Sequence, residues 1–219
     1  MRLSRRALLR AAAAVAAVGP ALGFARPDTL PGRKAVFEEI GNSIMLTLSL
    51  PTLFRRSDTD ALASIDSGFD TTVRFKLDVW EHGTRKHMGT RVIVRKIRRD
   101  PWKKKYVVRT QGSSGWSSRS FAKREEAIAE VVALDRVRVI AATQLQRGGE
   151  AGPFYFVTVL AQRNPIEGSG SGGKRRRRRR GGRRDLEWFG HLVDVLAGEQ
   201  ATAEETLNIR TNPFFLVPR

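Results

Sequence analysis

The chain predicts a mainly β fold of the α+β kind: an antiparallel β-sandwich or meander with one packed helix, followed by a disordered arginine-rich insertion and a second helix. Three observations carry this. Apolar residues alternate with polar ones over several runs, the period-two pattern of strands buried on one face. The runs are separated by short turn sequences, which join only antiparallel neighbours. A glycine, serine and arginine stretch at residues 168–184 has no apolar side chains with which to pack.

Before these runs stands a leader. Ser4-Arg5-Arg6-Ala7-Leu8-Leu9-Arg10 fits a twin-arginine export signal, with Arg5 and Arg6 as its paired cations. An alanine-rich core follows at residues 11–18, Gly19-Pro20 breaks it, and the small residues Gly23 and Ala25 suit a peptidase cutting after Ala25. The apolar stretch is shorter than the roughly 20 residues of a membrane-spanning helix. The expectation is therefore a periplasmic or secreted, soluble chain. Cysteine is absent, so no disulfide can brace the fold, and a core must do so.

Residues 26–42 read as an N-terminal tail. In residues 43–50, Ile44, Leu46, Leu48 and Leu50 alternate with polar or intermediate neighbours until Pro51 ends the run. A short helix is expected near residues 58–64. The clearest alternation follows, with Phe69, Thr71, Val73, Phe75, Leu77 and Val79 sharing one face. A turn at residues 82–85 leads to a strand at 88–97, and Asp100-Pro101 leads to another at 103–110.

Residues 112–118 read as loop, and 122–134 switch to helical spacing. Ile128, Val131 or Val132, and Leu134 would face the sheet there, with Ser120 as cap. Two more strands are expected at 136–146 and 154–162, the second apolar on both faces and hence central. The β-rich domain is then 43–165 and the disordered insertion 166–184. A helix at 185–197 places Leu186, Phe189, Val193 and Leu196 on one side, and a closing segment at 208–217 ends the 185–219 region.

The order of these elements, from Ser67-Gly68-Phe69 through Trp80, Tyr106-Val107-Val108, Ser120-Phe121 and Glu125-Glu126-Ala127 to Pro165, resembles the bacterial exported domain of unknown function 4390 family. The resemblance covers about residues 44–165 and the C-terminal tail. It implies fold and export and brings no catalytic residue, because the family has no established activity. The arginine tract and the helix after it depart from the family pattern.

Charge is the other informative feature. The formal net charge is +18, yet nine positives sit together in Lys174, Arg175, Arg176, Arg177, Arg178, Arg179, Arg180, Arg183 and Arg184. Removing those nine and the four leader arginines leaves +5 on the rest of the chain. The tract is thus the candidate polyanion-binding arm, since planar guanidinium groups suit phosphate and carboxylate. An exported chain would meet anionic lipid, lipopolysaccharide or acidic polysaccharide, with an envelope protein as a further partner. Nucleic acid is the alternative ligand if the leader is misread.

Other motifs fail on context. Gly168, Gly170 and Gly173 have dinucleotide-loop spacing without the strand and helix that motif needs. Glu81, His82 and His87 offer too few ligands for zinc. Ser113, Ser114, Ser117, Ser118 and Ser120 lack a nucleophile elbow, and His191 stands alone. The sequence therefore predicts no catalytic residues, metal or cofactor, and a non-enzymatic envelope binding or scaffold module. An envelope enzyme acting in a cleft is the remaining rival.

Overall fold

The structure, a computed structural model, describes residues 27–55, 57–112, 115–165 and 203–218. Among these, ten strands form two sheets with two α-helices packed on them. Strands are β1 (Gly32–Arg33), β2 (Val36–Ile40), β3 (Ser43–Ser49), β4 (Thr71–Glu81), β5 (His87–Asp100), β6 (Lys105–Gly112), β7 (Gly115–Phe121), β8 (Ala133–Ala141), β9 (Tyr155–Pro165) and β10 (Ala203–Thr211). Helices are α1 (Thr59–Asp66) and α2 (Arg124–Val132). The large sheet has the order β1-β10-β9-β4-β5-β6-β7 and the small one β2-β3-β8. Every pairing is antiparallel except that of β1 with β10.

The core lies between the sheets, where alternation in sequence becomes two apolar faces in contact. Val73, Phe75, Leu77 and Val79 of β4 are fully buried, and Ile44, Leu46 and Leu48 of β3 join the same cluster. Strand β9 lies between β4 and β10, and residues on both of its faces are buried, as its unbroken apolar run predicts. Helix α1 adds Ala61 and Ile65 to the core, and α2 adds Ala127, Val131 and Val132. The mainly β architecture with packed helices is therefore as the sequence predicts.

Several elements differ in place. Residues 26–42, read as a tail, carry β1 and β2, which pair with β10 and β3. Asn212 Oδ1 accepts a bond from Ala35 N–H at 2.7 Å, tying this stretch to the chain's other end. Phe69 is 72 % exposed instead of sharing the core face, because β4 begins only at Thr71. Gly68, at φ +89, turns the chain out of α1, so the period of two has not yet begun at Phe69.

Residues 115–118, read as loop, belong to strand β7, which is exposed on both faces up to Phe121 and held by its ladder to β6. Ser120 lies in that strand, and the residue at the α2 N-cap is Lys123. Leu134 is buried, but in β8. Strand β8 starts three residues earlier than expected and ends at Ala141, and β10 starts at Ala203 where 208 was expected. The leader, the arginine tract and the predicted 185–197 helix lie outside the described residues.

The early start of β8 has a cause distant in the chain. Helix α2 passes into β8 at Ala133 with no glycine between, which leaves its last carbonyls needing donors. Arg95, only 7 % exposed, supplies them: its Nη1 donates to Glu130 O at 2.5 Å and also to Ala133 O. A cation at a helix C-terminus also complements the macrodipole. Desolvation lowers the Arg95 pKa from its ordinary value, with the charge of Glu130 opposing.

Candidate functional site

None of the residues singled out for the polyanion-binding arm, from Lys174 to Arg184, lies among the described residues. The same holds for Arg5 and Arg6. What the folded body contributes is the outer face and the two ends of the large sheet.

On the outer face, alternation places Lys96 of β5, Arg109 of β6 and Trp116 of β7 side by side. Lys96 pairs with Arg109 in register, and Arg109 with Ser118. The Lys96 ammonium stands 5.7 Å and the Arg109 guanidinium 5.2 Å from the Trp116 ring centroid. Two cations thus share one aromatic platform. Asp70 lies 3.8 Å from both Lys96 and Arg98. Farther across, Arg210 stacks 4.1 Å above Phe156.

At one end, the β5–β6 hairpin closes through residues 101–104, all exposed. Asp100 Oδ1 accepts bonds from Trp102 N–H at 3.0 Å and Lys103 N–H at 3.1 Å, and Lys104 takes φ +50. This local bonding is the Asx geometry that Asp favours in turns. It fixes a tip of one tryptophan and successive lysines, with Trp102 93 % exposed.

At the other end, the β4–β5 hairpin carries Glu81, His82 and His87. The two imidazoles have different neighbours. His87 Nε2 lies 3.1 Å from Thr90 Oγ1 and 3.4 Å from Asp78, with its ring against Trp80. The His82 ring turns edge-on to Phe156, and the residue's backbone N–H donates to Phe154 O at 2.8 Å. Asp78 is also the acceptor of Thr90 Oγ1 and lies 3.5 Å from Lys76. Among the described residues no three His, Cys, Asp or Glu side chains stand together as a metal site.

The described serines of the former loop, Ser117, Ser118 and Ser120, lie exposed along the edge strand β7. Ser117 Oγ donates to the Thr110 carbonyl at 3.4 Å, so its proton serves the strand. Among the described residues, clefts open at the sandwich margins. One of about 210 Å³ lies between Phe37, Ile44 and Phe214, and one of about 340 Å³ between Thr90, Arg91, Arg138 and Ile140.

Two buried arginines escaped the sequence reading, Arg95 and Arg163. Arg163 is 4 % exposed. Its Nη1 donates to Leu53 O at 2.7 Å and to Asp58 at 2.5 Å, its Nε faces Glu204 at 3.4 Å, and Phe54 lies beneath it. Through Nη1 it holds the segment before α1 against β9, and its charge faces Glu204 of β10 although Nε itself makes no hydrogen bond, so it acts as a structural cation. The signal was available: Val157, Val159 and Ala161 extend in steps of two to Arg163.

With this geometry in place, comparison with known proteins gives one match. The family model of a domain of unknown function (DUF4390) matches residues 34–152. The chain belongs to that family, as its order of elements suggested. No curated protein and no solved structure matched the chain. Among the described residues no helix is long and apolar enough to cross a membrane, a statement that leaves β-barrels aside.

Proposed function

We propose that this protein is an exported, non-enzymatic binding module of the cell envelope, whose arginine-rich arm engages anionic lipid headgroups, lipopolysaccharide or acidic polysaccharide. The observation that carries the reading is the concentration of nine cations within residues 174–184, seven of them consecutive, in a chain whose residues 4–10 fit the pattern of a twin-arginine signal. Seven adjacent cations repel one another and are relieved by a polyanion. The platform at Trp116, with Lys96 and Arg109 beside it, supports the same preference in the folded body.

The test replaces Arg175 to Arg180 with serine. Binding to lipopolysaccharide and to anionic vesicles is expected to fall steeply, and in the parent to weaken as salt rises, because released counterions and unscreened charge drive such association. Equal binding by the serine variant at low salt would refute the role of the arm.

A further inference from the structure

We propose that the β5–β6 hairpin tip is a membrane-docking element, with Trp102 entering the interfacial layer of an anionic bilayer while Lys103, Lys104 and Lys105 meet its headgroup phosphates. This rests on the reading of the chain as an envelope binder, but uses a site other than the arginine arm.

Single exposed apolar side chains are ordinary, so Trp102 alone would carry nothing. Its setting carries the argument. The ring is 93 % exposed at the apex of a turn that Pro101 and two bonds to Asp100 hold in one conformation. Presenting it therefore costs little ordering entropy on docking. Phe69, 72 % exposed, belongs to the same end of the sheet. It precedes Thr71, which pairs with Ile97, and a side chain built at Gly68 would come within 3.3 Å of Arg99 O.

Charge selects the partner. Lys103, Lys104 and Lys105 are exposed and have no acidic partner among the described residues. The two nearby carboxylates are occupied, Asp100 by the turn amides and Asp70 by Lys96 and Arg98. An indole beside ammonium groups matches a boundary that is apolar on one side and anionic on the other. The opposite hairpin makes the contrast: its tip holds Arg85 and Lys86 but no exposed large apolar side chain.

The experiment measures sedimentation of the full chain with vesicles of phosphatidylcholine and phosphatidylglycerol, and with phosphatidylcholine alone. Four chains are compared: the parent, Trp102→Ser, Lys103→Ser with Lys104→Ser, and the arm variant with Arg175 to Arg180 changed to serine. Melting temperature confirms that each folds. Removing the two lysines is expected to weaken binding to the anionic vesicles about 25-fold, the attraction of two basic side chains to such a surface.

Trp102→Ser should also weaken vesicle binding, while leaving binding of a soluble anionic polysaccharide and of a single-stranded oligonucleotide unchanged. Brominated acyl chains should quench tryptophan emission more in the parent than in Trp102→Ser, the difference isolating Trp102 from the chain's three other tryptophans. Vesicle binding by Trp102→Ser equal to the parent's overturns the membrane role. So does an equal loss on the soluble polymers, which would make the tip a stacking or charge site. If the tip variants match the parent and the arm variant loses binding, the tip proposal falls and the proposed function stands. A parent that binds neither vesicles nor lipopolysaccharide removes both.

Discussion

Arg95 Nη1 lies 2.5 Å from the carbonyl oxygen of Glu130, and the same nitrogen bonds the carbonyl of Ala133. One cation on β5 thus closes the C-terminal end of α2. The large sheet and the α2–β8 connection are joined by it, because Ala133 is already the first residue of the small sheet's β8. Glu130 also binds Arg119 of β7 through its carboxylate at 2.6 Å, so a single helical residue links two strands of the large sheet.

Arg95→Leu is expected to destabilise the fold by about 2 to 4 kcal/mol, because it leaves two partly buried carbonyls without their donor and removes a charged partner. Arg95→Lys should recover part of this, since an ammonium retains the charge without the fork of donors. Denaturant midpoints with unchanged slope measure it. A leucine variant as stable as the parent would show that water replaces the guanidinium without loss.

The register of β4 gives a paired prediction. Phe75 is fully buried and Lys76 points to the outer face, 3.5 Å from Asp78. Phe75→Ala should cost about 3 to 5 kcal/mol, whereas Lys76→Ala should cost about 0.5 kcal/mol, the worth of a partly exposed ion pair. Comparable losses at the two positions would contradict the observed faces.

These two residues also show what kind of structure a sequence makes legible. A strand with one face in the core writes its register as alternation, and β3 and β4 were readable for that reason, whereas β9, buried on both faces, was readable as an unbroken apolar run. Strand β7 is exposed on both faces, so nothing in Gly115–Phe121 records its pairing with β6. Leu134 continues the helical spacing of Val131, yet the chain leaves the helix at Ala133, where a side chain 38 residues earlier takes its carbonyls. Such long-range causes leave no local pattern. The same holds for the two proposed binding elements: the arginine tract is visible as composition, whereas the Trp102 tip stands out only once the turn at residues 101–104 is known to leave it exposed.

Export is tested apart from binding. Arg5→Lys combined with Arg6→Lys should stop translocation and leave precursor in the cytoplasm, because the pathway reads the paired arginines rather than charge alone. Fractionation with detection of precursor and processed chain measures this. Undiminished processed protein outside the cytoplasm would refute the twin-arginine assignment.

Alkaline pH probes two tyrosines. Tyr106 donates to Asp66 Oδ1 at 2.8 Å, while Arg124 holds the other oxygen of that carboxylate at 2.7 Å, so one acidic residue joins α1, β6 and α2. Burial, then the hydrogen bond and charge of Asp66, raise the Tyr106 pKa above its ordinary 10.0. Burial likewise raises that of Tyr155, although the backbone of Gln146 opposes it. A group whose folded pKa is raised contributes stability that is fully present below the unfolded value and is lost as pH rises through the folded one. Stability should therefore be insensitive to these groups below pH 10.0 and decline above it. To isolate the tyrosines, the parent is compared with Tyr106→Phe and Tyr155→Phe combined. That variant should be less stable at neutral pH, having lost the bond to Asp66, and should lose less stability between neutral and alkaline solution. Parallel stability curves for the two proteins would rule out a tyrosine origin for the alkaline loss.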